Sequence, residues 1–240
     1  MDAATSPSGP RIVEVAGIRI PLDRRIMSDK IVESLTTGRY EMIEARQAPS
    51  IVRAGERVVE IGAGIGFLTA LIAARTPAEL VVAIEANPEL GPCIAALHAL
   101  NGVRTTIRQA LVTPGGGGPA RFHLHVDLWA SSSGRVAEAN RLRTIEVPSI
   151  GLDQVAADYR PTLLIVDVEP LAAWAAAAEP AQALEAADFR PFPRVLVELK
   201  PKRFPPKQVR RVFDLFSDQG FAYSTAGSQG PLVLFEQAGG

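Results

Sequence analysis

From Arg11 to Leu22 apolar and polar residues alternate around Gly17, a period of two that predicts a short hairpin. The period then lengthens: Ile31, Val32 and Leu35 mark a helix that Gly38 stops, and a second helical stretch runs from near Tyr40 to Ile51. Arg57 to Ile61 is a β-branched run between polar and glycine punctuation, as suits a strand covered on both faces, and it is expected to start a parallel sheet. Helix 65–75, strand Leu80 to Ile84, helix 88–100 and strand Arg104 to Ile107 follow at the spacing of successive βα units with right-handed crossovers. The second of these helices is well marked. Asn87 can cap it, Pro88 fits its first turn, Leu90, Ile94 and Leu97 form one stripe, and Asn101-Gly102 ends it.

The regular pattern breaks at Thr113 to Pro119, a glycine tract expected to be a surface loop, and again at Ser131 to Gly134. Alternating segments Arg121 to Val126 and Leu142 to Val147 border the second break and predict an antiparallel excursion from the main sheet. A short helix around Leu152 to Ala157, a strand Thr162 to Val168, an alanine-rich helical region interrupted at Pro180 and a strand Arg194 to Leu199 follow. Helix 206–219 carries Val209, Val212, Phe213 and Phe216 at i, i+3, i+4 and i+7, stops at Gly220, and hands over to strands Phe221 to Ser224 and Leu232 to Phe235. No internal repeat is evident. The expected architecture is an α/β, Rossmann-like sheet with helices on both faces over residues 51–240, and a leader of hairpin and helices over residues 1–50 packed on it.

A chain of 240 residues that is 47% hydrophobic can bury one substantial core. With 25 basic against 26 acidic side chains and no long run of either sign, nothing marks a nucleic-acid or anionic membrane partner, so small molecules are expected instead. Met1 to Pro10 lacks the basic and apolar regions of a signal peptide and no apolar run reaches membrane-spanning length, so a cytoplasmic location is expected. Cys93, the one cysteine, is expected to be an inert thiol in a helix. The oligomeric state is open, and a homodimer is compatible with the sequence.

Chemistry concentrates first at Val58 to Thr69, where an apolar strand ends in Glu60 and the glycines Gly62, Gly64 and Gly66. Such glycines let backbone approach a ligand where a Cβ would clash, and the turn they form opens a helix whose N–H groups face whatever is bound. A dinucleotide would bring its pyrophosphate against Glu60, and its Gly-x-Gly-x-x-Gly pattern, counted from Gly62 and Gly64, finds Phe67 in the third place. A methionine ammonium would be attracted to Glu60. The next strand ends in Glu85, where a carboxylate can take two hydrogen bonds from vicinal ribose hydroxyls. Together these make S-adenosylmethionine the leading cofactor candidate and a dinucleotide-dependent oxidoreductase a distant one.

The second concentration is Ile165 to Pro170, where Asp167 and Glu169 follow a strand at the carboxyl edge of the sheet, the usual ligand crevice. A period of two places both on one face. Asp167 could accept a proton from a substrate hydroxyl, orient it, or ligate a metal with Glu169; the plainer alternative is a solvated strand end. His123 and His125 share a strand face, but two histidines without a nearby Cys or Asp make an incomplete zinc set, and no metal site is assigned. Glu198, Lys200 and Lys202 follow another strand end, where Lys200 could hold an anionic substrate or be ordinary solvated charge. Trp174 could floor a pocket, though packing is its commoner use, and Tyr40 and Glu44 could lid the cofactor or simply pack.

These pieces, in this order, resemble the FkbM-type S-adenosylmethionine-dependent methyltransferases over roughly residues 40 to 225. They are Gly38-Arg-Tyr-Glu41, Val59-Glu-Ile-Gly-Ala-Gly-Ile-Gly-Phe67, Val82-Ala-Ile-Glu-Ala-Asn-Pro88 and Leu100-Asn-Gly102, then Val147-Pro-Ser-Ile-Gly-Leu-Asp153, Asp167-Val-Glu169 and Val195-Leu-Val-Glu198. The resemblance implies a seven-stranded class I methyltransferase sheet and O-methylation of a hydroxyl on a sugar or small natural product. It implies cofactor contacts from Glu60, Gly62, Ala63, Gly64, Gly66, Phe67, Glu85, Ala86, Gln109, Ala110 and Asp167, with Asp167 and Glu169 as the catalytic candidates. The chain departs from the family's pattern at Ile165, where lysine is usual, and at Pro170, where glycine is usual. Both lie on the acceptor side, so the rival reading is a non-catalytic S-adenosylmethionine-binding or scaffold protein. Nucleic-acid methylation is disfavoured, because the strand ending at Asp167 lacks an Asn-Pro-Pro-Tyr-like base-binding loop.

Overall fold

The computed structural model describes residues 11–115, 117–125, 142–167, 171–174, 183–200 and 204–239. The hairpin is β1 (Ile12–Val15) and β2 (Ile18–Pro21), followed by helices α1 (Asp29–Thr36) and α2 (Met42–Ile51). Strand β3 (Arg57–Ile61), helix α3 (Phe67–Arg75), β4 (Leu80–Glu85), α4 (Gly91–Leu100) and β5 (Thr106–Gln109) then alternate as the periodicity predicts. Among the boundaries that move, two have a visible cause. Helix α4 begins at Gly91, because Asn87 Oδ1 accepts the N–H of Glu89 and caps a turn ahead of the helix proper. Strand β5 lies two residues later than its apolar pattern suggests, and all four of its residues are exposed at the sheet edge.

The remaining elements are β6 (Leu111–Thr113), β7 (Gly118–His125), β8 (Leu142–Gly151), α5 (Leu152–Tyr159), β9 (Leu163–Val166), β10 (Arg194–Glu198), α6 (Pro206–Asp218), β11 (Phe221–Gln229) and β12 (Leu232–Gln237). Residues 171–174 are helical; the rest of the alanine-rich stretch, with Pro180, lies outside the described residues. Seven strands form the main sheet in the order β11-β12-β10-β9-β3-β4-β5, with only β12 antiparallel to its neighbours. The excursion is a separate sheet, β6-β8-β7, in which β7 and β8 are antiparallel as the alternation predicts and β6 joins in parallel. The glycine tract at Gly115, Gly117 and Gly118 is exposed beside it.

The sheet is buried on both faces, which is why its strands read as continuous apolar runs. One face packs Val59, Ile61, Leu164, Val166, Val195 and Val197 against α6 and the aromatic stack Phe216–Phe235, whose ring centroids are 4.0 Å apart. The other buries Val58, Leu163, Ile165 and Leu196 together with Ile18, Ile20, Ile31 and Leu35 of the hairpin and α1. The leader therefore shares the core of the main sheet. Arg75 donates to Ala16 O at 2.8 Å, and Asn101 at the end of α4 exchanges two hydrogen bonds with the Arg19 backbone, at 2.8 and 2.7 Å.

Chain order reverses between β3 and β9. The chain leaves β3 toward β4 on one side and returns on the other, so the loops after these two strands diverge and leave a crevice at their carboxyl ends.

Candidate active site

Register and the period of two bring the site together. Glu60 pairs with Ala83 and Ile165, and Ile165 pairs with Leu196, so residues of this parity on β4, β3, β9 and β10 share one face. Continued to the strand ends, that face receives Glu85, Glu60, Asp167 and Glu198. Four acids at the carboxyl ends of four adjacent strands thus meet Tyr40 and Glu41, just ahead of α2, and Glu44 in its first turn.

The glycine turn forms the floor. Gly62, Gly64 and Gly66 have φ of 87°, 56° and 80°, and a Cβ on Gly66 would lie 2.7 Å from Ile94 Cγ2 and 2.9 Å from His98 Nε2. Glycine is required there both by conformation and by contact. His98 pins the turn: its Nε2 lies 2.9 Å from Gly66 O and 3.1 Å from Thr69 Oγ1, and its Nδ1 lies 2.6 Å from Thr105 Oγ1. Burial lowers its pKa, so it stays neutral. The sequence reading passed over His98, whose signal is a polar residue on the buried face of a helix beside a glycine motif.

Glu85 is held by the turn. Its Oε2 accepts the Gly64 N–H and its Oε1 the Asn87 N–H, each at 2.8 Å. Burial raises its pKa against these backbone bonds. Glu60 is satisfied on one side only: its carboxyl accepts the Thr69 N–H, but the buried Oε2 has no hydrogen-bond partner. Burial, then the charges of Glu41 and Glu85, push its pKa well above the usual carboxylate range. Ile165, in register beside it, supplies no counter-ion. A buried carboxylate oxygen without a donor is a place that a ligand cation could fill, and Glu60 could hold one.

The other expected cofactor residues surround these two. Ala63 is buried against Ala83 and Ile94, and Ala86 is buried under Phe122 and Leu124 of the small sheet. Gln109 is exposed beside Glu85 at the end of β5, and Ala110 donates its N–H to Glu85 O at 3.0 Å. The Phe67 ring is fully buried and packs edge-on against Tyr40 at 5.5 Å, so its side chain is core and its backbone is what faces the turn.

On the acceptor side, Asp167 is partly exposed and its N–H extends the β9 ladder to Ile61 O at 3.1 Å. Its carboxyl acts on Glu198, on which Glu44 also acts. Burial, then Asp167, pushes Glu198 up to about 7; burial, then Glu198, pushes Glu44 up to about 7. Lys200 Nζ lies 2.6 Å from Glu198 Oε1. Burial works against the Lys200 charge, but Glu198, Asp167 and Glu44 outweigh it and raise its pKa. Lys200 is therefore neither simple solvated charge nor an open anion site.

Tyr40 is buried, and burial, then the Glu41 charge, raises its pKa. Glu41 keeps some accessible surface, but its carboxyl is enclosed, and that burial, with Glu44 nearby, lifts it to about 8. Its backbone is left-handed, φ 45° and ψ 38°, a strained conformation of the kind that collects at functional sites. Glu41 entered the sequence reading only within the Gly38 to Glu41 resemblance; its spacing of three from Glu44 was the available signal.

Glu169 and Pro170 lie outside the described residues, as does Lys202. Trp174 is buried, packs on Phe189 and donates to Val112 O at 3.3 Å, so it belongs to the core and not to a pocket floor. His123 bonds Thr144 Oγ1 at 2.9 Å on the small sheet. Among the described residues no group of three or more His, Cys, Asp or Glu is arranged to hold a metal ion, and no helix is long and apolar enough to cross a membrane.

Residues 60–170 match the family model described as the methyltransferase FkbM domain. No curated relative matches the chain. Among solved structures, the chain is similar to the Pyrococcus abyssi tRNA (uracil-54, C5)-methyltransferase in complex with S-adenosyl-L-homocysteine. The TM-score is 0.52 at 12% identity, over 95% of this chain and 44% of that one, a likeness of fold. It is also similar to TYW2 of M. jannaschii in complex with AdoMet (TM-score 0.47, 15% identity, 98% and 89% of the two chains). A third is the precorrin-6y C5,15-methyltransferase of Geobacter metallireducens (TM-score 0.43, 9% identity, 91% and 94%).

Proposed function

We propose that this chain, a methyltransferase that carries an FkbM domain and takes S-adenosylmethionine as its cofactor, methylates a hydroxyl oxygen of a small molecule, a sugar or natural product. The cofactor supplies a methyl group activated on a sulfonium. Glu60 binds the ammonium and Glu85 the ribose hydroxyls. Gly62, Ala63, Gly64 and Gly66 bring backbone up to the ligand, with Ala86, Gln109 and Ala110 on the base side.

The observation that carries the acceptor assignment is Asp167, a carboxylate at the open end of β9 within the same crevice as the orphaned Glu60 oxygen. A hydroxyl seated against Asp167 has its proton held and its lone pair oriented, and alignment of this kind is the larger part of what such a displacement needs. The surrounding acids disfavour a phosphate-rich acceptor, because Glu41, Glu44, Asp167 and Glu198 face only one cation, Lys200, among the described residues.

The test uses labelled cofactor with a panel of glycosides and hydroxylated small molecules. Asp167→Asn should keep cofactor affinity within a few-fold and lower methyl transfer by about 10² to 10⁴. Unchanged transfer in that variant contradicts the assignment. Tight cofactor binding with no turnover across the panel would favour the non-catalytic alternative, with Ile165 and Pro170 as the altered positions.

A further inference from the structure

His98 is a buried titratable side chain that the reaction above leaves unused. It lies on α4, is 4% exposed, and has both ring nitrogens engaged. Nε2 is 2.9 Å from Gly66 O and 3.1 Å from Thr69 Oγ1, and the Thr69 hydroxyl in turn donates to Gly66 O at 3.1 Å. Nδ1 is 2.6 Å from Thr105 Oγ1. One neutral tautomer satisfies this set. A carbonyl oxygen only accepts, so the ring proton sits on Nε2 and points at Gly66 O with Thr69 Oγ1 beside it, and Nδ1 accepts the Thr105 hydroxyl proton. The other tautomer would set the Nε2 lone pair against the Gly66 carbonyl. Burial, which lowers the pKa, keeps the ring neutral at pH 7.

The place where this bond lands gives it a use. From Gly62 to Gly66 only Ala63 and Ile65 carry a side chain, so the backbone has little to hold it, and any freedom left in it is lost when a ligand binds. Two side chains from elsewhere in the chain bond this backbone: Glu85 accepts the Gly64 N–H at 2.8 Å, and His98 donates to Gly66 O at 2.9 Å. Gly66 O also accepts the Ala70 N–H at 3.0 Å, and the Gly66 N–H donates to Ala63 O at 2.8 Å. Both peptides of Gly66 are thereby tied, and with them the junction between the turn and α3. We infer that His98, as its Nε2–H tautomer, is a positioning residue for S-adenosylmethionine: it holds the glycine turn in the shape that receives the cofactor, and Thr105 selects the tautomer that does so. This rests on the reading that the glycine turn and Glu85 hold the cofactor. His98 acts from behind Gly66, on the side where an added Cβ would lie 2.9 Å from Nε2, and it removes backbone freedom before the ligand arrives.

Two measurements on the full chain test this without an acceptor. Nitrogen-15 spectra of the histidine rings read the tautomer, with the other two histidines assigned through His123→Gln and His125→Gln. At pH 7 His98 should carry its proton on Nε2 and none on Nδ1, with and without S-adenosylhomocysteine. A proton on Nδ1, in either state, overturns the proposal, and this reading leaves His98 itself intact. Calorimetry with S-adenosylhomocysteine then separates positioning from packing. A glutamine amide nitrogen reaches the place of Nε2, whereas an asparagine amide reaches only that of Nδ1. His98→Gln should therefore keep affinity within about 2-fold of wild type, and His98→Asn should lose about 3- to 10-fold at a temperature where both remain folded. Both variants lose the ring's packing, so a role in the core alone predicts equal affinity in the two, and that result overturns the proposal. Glu85→Ala is titrated alongside. Weaker binding there with wild-type affinity in His98→Asn overturns the proposal alone, whereas unchanged binding in Glu85→Ala removes the cofactor site reading and the proposal with it.

Discussion

Replacing Glu60 by Gln should trade cofactor affinity for stability. The side chain is 5% exposed, one oxygen has no partner, and its strand neighbours Ala83 and Ile165 offer no charge. Glutamine keeps an oxygen for the Thr69 N–H and removes the ionisation that Glu41 and Glu85 oppose. At pH 4, below the ordinary carboxyl pKa, both forms bury one neutral, unsatisfied polar group, so their unfolding free energies should agree within about 1 kcal/mol. By pH 8 the unfolded wild type has ionised while the folded state still opposes ionisation of Glu60, so the variant should be the more stable of the two. With cofactor the sign reverses. A charge-assisted bond to the ammonium is worth about 1.5–3 kcal/mol, so S-adenosylmethionine should bind about 10- to 150-fold more weakly to Glu60→Gln. Urea denaturation at the two pH values and calorimetry read both sides. Affinity within about twofold of wild type, or a variant less stable than wild type at pH 8, would refute the reasoning.

Gly66→Ala should destabilise the fold by about 1–2 kcal/mol from its left-handed backbone alone, and further through the Ile94 and His98 contacts, while weakening cofactor binding; a melting curve and a titration check both. Glu44→Gln should leave stability unchanged at pH 5 and raise it by about 1–3 kcal/mol at pH 8. The sign follows from a folded pKa of about 7 against an ordinary 4.5: the folded state holds the proton longer, so the wild type loses stability as pH rises through that window. His98, lowered in the folded state, changes stability in the opposite sense below its ordinary pKa but is common to both proteins and cancels.

The strands and the glycine motif were legible because each has a local cause. Val58, Val59 and Ile61 read as a two-face-buried strand, and Gly62, Gly64 and Gly66 announce positive φ. The hairpin around Gly17 and the antiparallel excursion were equally visible, since alternation survives in both. Strand β5 was misplaced by two residues because Ile107 is its one strongly apolar residue and neither of its faces is buried. The acid cluster was not legible as a cluster. Glu44, Asp167 and Glu198 were noted separately, but their meeting depends on strand order, and nothing local in sequence places β9 between β3 and β10. The orphaned Glu60 oxygen and the His98 pin likewise arise from contacts between elements far apart in sequence. Phe67 and Trp174 show the converse: aromatics beside a motif look available to a ligand until packing claims them.

The most direct test of the account is a crystal structure of the chain with S-adenosylhomocysteine bound. The account predicts the ligand in the crevice between β3 and β9, its ammonium on Glu60 Oε2, its ribose hydroxyls on Glu85, and the Asp167 carboxyl facing the sulfur across space open to an acceptor. A ligand bound elsewhere, or one whose amino-acid end leaves Glu60 without a partner and occupies Asp167 instead, would contradict it.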